Sequence, residues 1–424
     1  MMGLHIRNAR LIDPDQELDT ITSLYIADGK IAGIGTAPEG FEVTETLEAD
    51  AQWLVPGFID LSSQLCEPGL SNKGTIASET LAAAHAGFTT VCTLPSTNPV
   101  ADSTAVIRLI QEKAEASGFT QVLPLGALTQ KLEGDQLANM VTLTQTGCVA
   151  LSNARYPIKD SYVLRRLMEY AAAYDILLFL SADDPALSRG GVMHEGMTAN
   201  RLGLAGIPSA AETVALAQIL ILVEQTGVRA HISQISCARS VEMIREAKER
   251  GLRVTADVAF ANLCYTAREV NGFDSRFHLQ PPLRREIDRQ ALLAAVNAGE
   301  LAICTNHHPH EIAAKKAPFA DSEPGMSLYD CFIPMLLERI QSEELSLFPT
   351  LRALTSLPAS TIGLQSGLIT GSDFNATLID PLSYEPNRFY SKGGNRPVDP
   401  SSMAGRVKAT FIQGRQSIPP ISKV

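Results

Sequence analysis

Uncharged polar side chains stand at the ends of several apolar, strand-like segments of this chain. The first segment, residues 55–69, reads VPGFIDLSSQLCEPG and places Ser62 and Gln64 after its apolar run. At neutral pH zinc takes thiolate, imidazole or carboxylate ligands, and neither a serine hydroxyl nor a glutamine amide donates electrons comparably. Later segments carry similar residues, namely Asn153, Ser181, Gln234 and Asn306. Serine, glutamine and asparagine at these places offer neither zinc ligands nor a general base, because asparagine is a poor proton acceptor.

Histidines elsewhere offer the competing interpretation of a retained catalytic centre. The segment 305–310 reads TNHHPH. A shifted single-metal site would use four side chains: His307, His308, His310 and Asp183. Three histidines in one loop more often form a packed or solvated turn, and His231, within an apolar segment, is interpreted as a hydrogen-bonded strand histidine.

Several acidic residues and one incomplete zinc motif are better explained by structural roles than by catalysis or metal binding. Asp183, Asp184 and Glu212 could supply paired carboxylates for acid/base catalysis. Loop carboxylates, however, are usually solvated or cap helices. A zinc motif HExxH that begins at His194 fails at Thr198, so it is absent.

Composition and charge exclude several classes of partner. The chain has 424 residues, 45% hydrophobic content and a formal net charge of -11. An acidic protein without clustered Lys and Arg is not expected to bind nucleic acid or anionic membranes. The seven cysteines lack CxxC spacing, and the first residues lack a long apolar run. These features predict buried free thiols and a soluble protein of the reducing cytoplasm.

Strand-like segments at both ends of the chain flank a long region of alternating strands and helices. Strands are predicted at residues 4–12, at 23–34 with an Asp-Gly hairpin turn at 27–30, and again at 375–380 and 406–412. The alternation between them predicts a (β/α)8 TIM-type barrel, whose functional groups lie at the carboxyl ends of its strands. A doubly wound open sheet is the alternative fold.

Helices and boundaries within this region follow from periodicity and from turn residues. The helix predicted at 211–225 has a core-facing stripe of Leu216, Ile219, Leu220 and Val223. Another helix is predicted at 135–146, and a surface loop is predicted at 381–400. The predicted domains are residues 1–52, 53–366 and 367–424.

Motifs in a consistent order resemble those of the dihydroorotase family. They are AGFTTV at 86–91, LPSTNP at 94–99, RLGLAGIP at 201–208, TSLPA at 355–359 and SKGGN at 391–395. Segment 55–69 is similar to the family's DxHxHxREPG motif. The resemblance covers almost the whole chain, and it implies an amidohydrolase barrel with a small β-sandwich built from both termini.

The resemblance also identifies what the uncharged strand-end residues replace. Dihydroorotases use two zinc ions to generate a hydroxide, and an aspartate shuttles the proton. The metal-ligand positions of the family fall here on Ser62, Gln64, Asn153, Ser181 and Gln234. The aspartate position falls on Asn306, and two substrate-binding positions fall on Cys66 and Ser96. We therefore expect no catalytic residue, no metal and no cofactor, and a pocket repacked to be neutral.

By the same resemblance, the expected function is not catalytic. Some bacterial dihydroorotase-like subunits associate with aspartate transcarbamoylase in de novo pyrimidine biosynthesis. We expect this chain to be such a pseudoenzyme, in a hetero-oligomer with the aspartate transcarbamoylase catalytic chain. An active cyclic amide hydrolase with an altered metal site and substrate is the alternative. A module that senses a pyrimidine or a carbamoylated ligand is a further hypothesis, weakened by the residues at Cys66 and Ser96.

Overall fold

A terminal β-sheet brings the two ends of the chain together. The computed structural model describes residues 2–158, 160–384 and 388–418. The strands of this sheet are β1 (Met2–Asp13), β2 (Leu18–Ala27), β3 (Lys30–Ile34), β4 (Glu42–Glu48), β5 (Trp53–Pro56), β16 (Ala376–Asp380), β17 (Arg406–Ile412) and β18 (Arg415–Gln416). Their order is β18-β17-β16-β5-β1-β2-β3, and β4 pairs with β1. The antiparallel β2–β3 hairpin turns at Asp28 and Gly29, whose positive φ angles of 53° and 76° suit an Asp-Gly turn.

Eight parallel strands form the barrel. They are β6 (Phe58–Ser63), β7 (Phe88–Thr93), β8 (Gln121–Ala127), β9 (Ala150–Ser152), β10 (Leu178–Ser181), β13 (Ala230–Ser233), β14 (Val254–Ala259) and β15 (Ala302–Cys304). The first and last strands meet beyond β15, where the backbone N–H of Gln64 donates to the carbonyl of His307 at 2.8 Å. A short pair, β11 (Met193–His194) and β12 (Gly206–Ile207), stands apart. The predicted barrel and the additional terminal sheet are confirmed.

The helices follow the barrel strands along the chain. Those of the first half are α1 (Ile76–His85), α2 (Thr104–Ser117), α3 (Met140–Gln145), α4 (Ser161–Ala173), α5 (Met197–Leu202) and α6 (Ser209–Thr226). Those of the second half are α7 (Ala238–Glu249), α8 (Phe260–Cys264), α9 (Glu286–Asn297), α10 (Tyr329–Gln341), α11 (Leu347–Leu354) and α12 (Ser356–Ile362). The predicted α6 stripe is buried at all four of its positions, as expected of a helix packed against the barrel.

Apolar clusters fill both parts of the molecule. The barrel interior is packed by side chains that include Ile59, Leu61, Phe179 and Cys304. The terminal sheet has a separate core of residues such as Ile6, Leu24, Phe374 and Phe411. All seven cysteines are free thiols, and all but the half-buried Cys264 are buried, as predicted. No helix in the described segments is long and apolar enough to cross a membrane.

One local prediction was wrong, and another was confirmed only in part. The helix predicted at 135–146 is only α3, because Asn139 caps its start by accepting a hydrogen bond from the backbone N–H of Thr142 at 3.3 Å. The predicted surface loop at 381–400 is partly buried. Within it, Asn395 is 1% exposed and is bonded to the loop that follows β15, while residues 385–387 lie outside the described part.

The predicted boundary between residues 52 and 53 precedes β5. That strand pairs with β1 and β16 in the terminal sheet, and the barrel begins with β6 at Phe58. The carboxyl ends of the barrel strands all open on one face, where the candidate site lies.

Candidate functional site at the barrel mouth

A cavity of about 410 Å³ opens at the carboxyl ends of the barrel strands. Most of the side chains singled out in the sequence line it, namely Ser62, Gln64, Ser96, Ser181, Gln234 and Asn306. We call this space the mouth cavity. The fold therefore brings together residues that are up to 244 positions apart, from Ser62 to Asn306.

Gln64 and Ser96 are hydrogen-bonded to each other at the mouth cavity. The Gln64 side-chain amide donates to the Ser96 carbonyl at 2.8 Å, and the Ser96 hydroxyl donates to Gln64 Oε1 at 3.3 Å. Ser62, which is 2% exposed, has no hydrogen-bond partner for its hydroxyl among the described residues. A buried unpartnered hydroxyl costs free energy, so Ser62 Oγ keeps a hydrogen-bonding capacity that no described group satisfies.

The remaining uncharged groups of the mouth are also hydrogen-bonded. Ser181 Oγ donates to the Ala154 carbonyl at 2.8 Å, and the Asn306 amide donates to the Gln280 carbonyl at 3.0 Å. Each contact uses a neighbouring backbone carbonyl. These side chains thus serve as local braces of the strand-end loops.

Arg155 is the mouth residue that the sequence analysis missed. Its Nη2 donates to Gln234 Oε1 at 3.0 Å, and its half-buried side chain lines the mouth cavity. Burial lowers the pKa of Arg155, while Asp183 and Glu212 act to raise it. A guanidinium stays protonated in proteins, so it brings a fixed positive charge to the mouth.

Two of the predicted site residues lie beside the mouth cavity and not on it. Asn153 faces away, because its Oδ1 accepts from the Thr129 hydroxyl at 2.8 Å and its amide donates to the Tyr156 carbonyl at 3.0 Å. Cys66 is 1% exposed, and burial raises the pKa of its thiol to about 12. Neither side chain presents a ligand atom to the cavity.

Asp60 is a buried carboxylate directly beneath the mouth. It accepts hydrogen bonds from the backbone N–H of Ser62 at 3.2 Å and of Thr305 at 3.0 Å, and from the Tyr329 hydroxyl at 2.9 Å. Burial raises its pKa to about 6. Asp60 therefore fixes the strand ends that carry Ser62 and Asn306.

A second buried carboxylate, Asp257, holds another part of the mouth. It accepts from the backbone N–H of Gln234 at 2.5 Å and lies 3.1 Å from His231 Nε2. His231 Nδ1 lies 2.8 Å from the Thr255 hydroxyl. His231 is therefore a hydrogen-bonded strand histidine, as predicted.

The loop that carries His307, His308 and His310 is held in place by hydrogen bonds to neighbouring residues. His307 Nδ1 accepts from the backbone N–H of Leu328 at 3.0 Å, so its Nε2 carries the proton and donates to Glu79 at 2.9 Å. Both nitrogens of His307 are thereby occupied.

His310 is occupied in the same way. Its Nδ1 lies 3.2 Å from Lys73 Nζ and its Nε2 lies 3.0 Å from the Pro324 carbonyl. Lys73 also forms an ion pair with Glu323. No group of three or more His, Cys, Asp or Glu side chains suited to a metal ion occurs within residues 2–158, 160–384 and 388–418.

The acidic residues near the mouth accept hydrogen bonds from backbone N–H groups. Asp184 Oδ1 accepts from the backbone N–H groups of Ala186 and Leu187, both at 2.9 Å. Glu212 is 3% exposed, accepts from the backbone N–H of Ser236 at 2.8 Å and pairs with Arg284 at 3.3 Å. These contacts agree with structural roles for both carboxylates.

Comparison with known proteins identifies the family. The family model described as dihydro-orotase-like matches residues 51–240. A dihydroorotase-like protein of Pseudomonas aeruginosa is 45% identical over 417 residues, which cover 97% of this chain and 99% of that protein. The chain belongs to the dihydroorotase-like family. A dihydroorotase of Anaeromyxobacter dehalogenans is 38% identical over 419 residues, covering 97% of each chain.

Solved amidohydrolase structures share the fold of this dihydroorotase-like chain. The L-hydantoinase of Arthrobacter aurescens superposes with a TM-score of 0.86 at 20% identity, covering 98% of this chain and 96% of that one. A dihydropyrimidinase of Brevibacillus agri gives a TM-score of 0.82 at 18% identity, covering 98% and 94% respectively. At these identities the likeness establishes the fold.

The two zinc ions implied by the family resemblance do not fit this mouth. Hydroxyl and carboxamide groups occupy the ligand positions, and most of them are already committed to hydrogen bonds. The Arg155 guanidinium, bonded to Gln234, would also repel a cation placed there. No metal-dependent step can be derived from this set of donors.

The backbone of the dihydroorotase-like mouth is nevertheless unusual. Non-glycine residues with positive φ follow several barrel strands, among them Cys66 (62°), Ala154 (48°), Gln234 (49°) and Asn306 (50°). Such conformations cost roughly 1 kcal/mol or more each and persist where the surrounding structure fixes them. The mouth therefore has a preorganised backbone.

Proposed function

We propose that this chain is a catalytically inactive dihydroorotase homologue that acts as an assembly subunit of aspartate transcarbamoylase. The observation that carries the inactive half is the mouth itself, where neutral side chains stand in place of the metal ligands and the base, with the guanidinium of Arg155 beside them. Rate enhancements of about a million-fold or more depend on such groups. An amide-bearing Asn306 cannot supply the missing proton acceptor.

Several relationships support the pseudoenzyme part of the proposal. This chain is 44–45% identical to two Pseudomonas proteins named dihydroorotase-like, and 35–38% identical to relatives named dihydroorotase. This chain is thus more similar to the two proteins named dihydroorotase-like than to the relatives named dihydroorotase. The retained barrel still offers a large rigid surface, which suits a role in assembly.

The partner in the proposal rests on the family resemblance. Non-catalytic dihydroorotase-like subunits accompany aspartate transcarbamoylase, and this chain has the degenerate mouth expected of such a subunit. An assembly role requires no chemistry at the mouth cavity. Association should therefore depend on the outer surface, and should not depend on the side chains of the mouth.

Co-expression with the aspartate transcarbamoylase catalytic chain of the same organism tests the proposed assembly. We expect the two chains to co-elute from a gel-filtration column as one stoichiometric complex, and an Arg155→Met variant to co-elute equally well. An unrelated barrel enzyme of similar size serves as the negative control. Separate elution of the two chains at micromolar concentration would remove the partner claim and leave the pseudoenzyme claim standing.

A further inference from the structure

We infer that the mouth cavity binds a small organic carboxylate, held by the guanidinium of Arg155. This inference goes beyond the assembly role, because it concerns a ligand and requires no second chain. It rests on the position of Arg155, on the unpartnered hydroxyl of Ser62, and on the size and lining of the cavity.

Arg155 has unused hydrogen-bonding capacity. A guanidinium carries five N–H donors, and among the described residues the Arg155 side chain makes one hydrogen bond, to Gln234. No carboxylate of the described residues lies within ion-pair distance of it, whereas Arg284, deeper in the same region, is paired with Glu212. A planar carboxylate matches the fork of a guanidinium, and such charge-assisted pairs are the stronger hydrogen bonds.

The other cation on the cavity wall is already neutralised. Lys73 forms an ion pair with Glu323 and faces His310, so its charge is used within the wall. Arg155 is thus the cavity-lining cation that remains available to an anion in the described part of the chain. Ser62, also on the cavity wall, has a buried hydroxyl without a hydrogen-bond partner among the described residues.

Three carboxylates act electrostatically on Arg155. They differ in how far they already bond to other groups. Glu212 is paired with Arg284, and Asp257 accepts hydrogen bonds from the Gln234 backbone and faces His231. Asp183 is the remaining one, and burial raises its pKa. Asp183 and Arg155 line a smaller cavity of about 80 Å³ that shares a wall with the mouth cavity. Asp183 therefore competes with an incoming anion and should weaken its binding.

Size and polarity define the class of ligand. A volume of about 410 Å³ falls within the range of small-molecule pockets, roughly 300–1,000 Å³. Leu61, Leu94 and Phe179 supply apolar wall, while Ser181 and Asn306 supply polar wall. This combination suits a carboxylate attached to a compact organic body better than it suits a bare inorganic anion.

Titration calorimetry on the full chain tests the inference with three probes. Benzoate carries the charge and an apolar body, benzamide is its neutral analogue, and inorganic phosphate is a bare anion. We expect benzoate to bind with one site per chain, at least tenfold more tightly than benzamide or phosphate. Equal affinities for benzoate and benzamide, phosphate binding in preference to benzoate, or no benzoate binding up to 10 mM would each overturn the inference.

Variants assign the binding to Arg155. Arg155→Met should weaken benzoate at least tenfold, while Arg166→Met, a matched change at an exposed arginine of α4, should leave the affinity unchanged. Asp183→Asn should strengthen benzoate binding several-fold because it removes the competing carboxylate. Unchanged affinity in Arg155→Met would overturn the inference, and the comparison of benzoate with benzamide on the unmodified chain decides the matter if that variant does not fold. None of these outcomes depends on aspartate transcarbamoylase, so this test and the assembly test can fail separately.

Discussion

At the residue scale, the mouth of this barrel is built from uncharged polar groups and the guanidinium of Arg155. By family resemblance, neutral side chains occupy the places of metal ligands, and they bond to each other or to nearby backbone and side-chain groups. An unpaired buried charge is costly, so the carboxylate of a former metal bridge is better replaced once the metal is lost. Asn153 fits this logic, because it now braces Thr129 and Tyr156.

Restoring imidazole groups should show whether Arg155 itself opposes metal. We expect a variant with Ser62→His, Gln64→His, Ser181→His and Gln234→His to bind zinc weakly, and the addition of Arg155→Met to tighten binding at least tenfold, or about 1.4 kcal/mol. The reason is removal of a cation a few ångströms from the metal position. Competition with a chromophoric chelator measures the affinity, and Arg166→Met on the same background is the control. Equal affinities with and without Arg155→Met would contradict the electrostatic account.

Asp60 makes a pH-dependent contribution to stability whose sign follows from its raised pKa. The folded-state pKa of about 6 lies above the ordinary value of 3.8, so folding favours the protonated form. The contribution of Asp60 is therefore most favourable below pH 4, and is lost as the pH rises through 6. A shift of this size corresponds to at most about 3 kcal/mol.

Urea unfolding at several pH values measures this contribution. The free energy of unfolding of the unmodified chain, relative to that of Asp60→Asn, should fall between pH 4 and pH 7, because the asparagine does not titrate. Asp184→Asn, at a half-buried loop position, provides the comparison for a carboxylate of lesser burial. If the difference in free energy of unfolding between the unmodified chain and Asp60→Asn stays constant across this range, the raised pKa of Asp60 is contradicted.

At the element scale, the strand-end loops keep an unusual backbone, and one distant segment holds them in place. Asn395, in the segment between residue 388 and β17, accepts from the backbone N–H of His310 at 2.8 Å and donates to the carbonyl of His308 at 2.9 Å. The side chain is almost wholly buried. It therefore ties the polypeptide leading to β17 to the loop that follows β15.

Loss of this tie should destabilise the chain substantially. We expect Asn395→Ala to lower the free energy of unfolding by about 2–4 kcal/mol, because two buried backbone groups lose their partner. Asn200→Ala, at an exposed position of α5, should change it by less than about 0.5 kcal/mol. Denaturant unfolding measured side by side gives both values. Similar small effects of the two substitutions would show that the segment does not brace the mouth.

Periodicity predicted most elements of the barrel, because buried strands and amphipathic helices leave clear apolar patterns. The α6 stripe is an example. The shorter α3 was mispredicted because local side-chain caps, which periodicity does not register, set its start at Asn139. The burial of Asn395 depends on contacts with residues more than 80 positions away, and such contacts leave no local pattern.

The candidate site was predicted in part for a similar reason. Comparison with the family's motifs marked positions whose residue type had changed, such as Ser62 and Gln234. It did not mark Arg155. The segment 151–155 reads LSNAR and is similar to a family segment like FSDDG, with the arginine at the place of the glycine. A large cation in place of glycine at a strand end is the signal that could have identified it. Only the structure shows that Asn153 turns away from the mouth cavity.

At the scale of the whole molecule, the chain is a barrel with a terminal sheet and a mouth lined largely by uncharged polar side chains. Fold alone does not determine function, and the same barrel occurs in this chain and in a protein named as an L-hydantoinase. The proposed assembly role uses the outer surface, while the inferred carboxylate site uses the mouth. The two roles are physically separable, so a bound carboxylate need not alter association.

The combined measurement of metal content and dihydroorotase turnover tests the central claim most directly. The chain would be purified without chelators, incubated with excess zinc, desalted and assayed by plasma emission spectrometry and by dihydroorotate hydrolysis, beside an active dihydroorotase treated identically. The account predicts well under 0.1 zinc per chain and no turnover above the uncatalysed rate. One tightly held zinc per chain together with turnover that a chelator abolishes would contradict it.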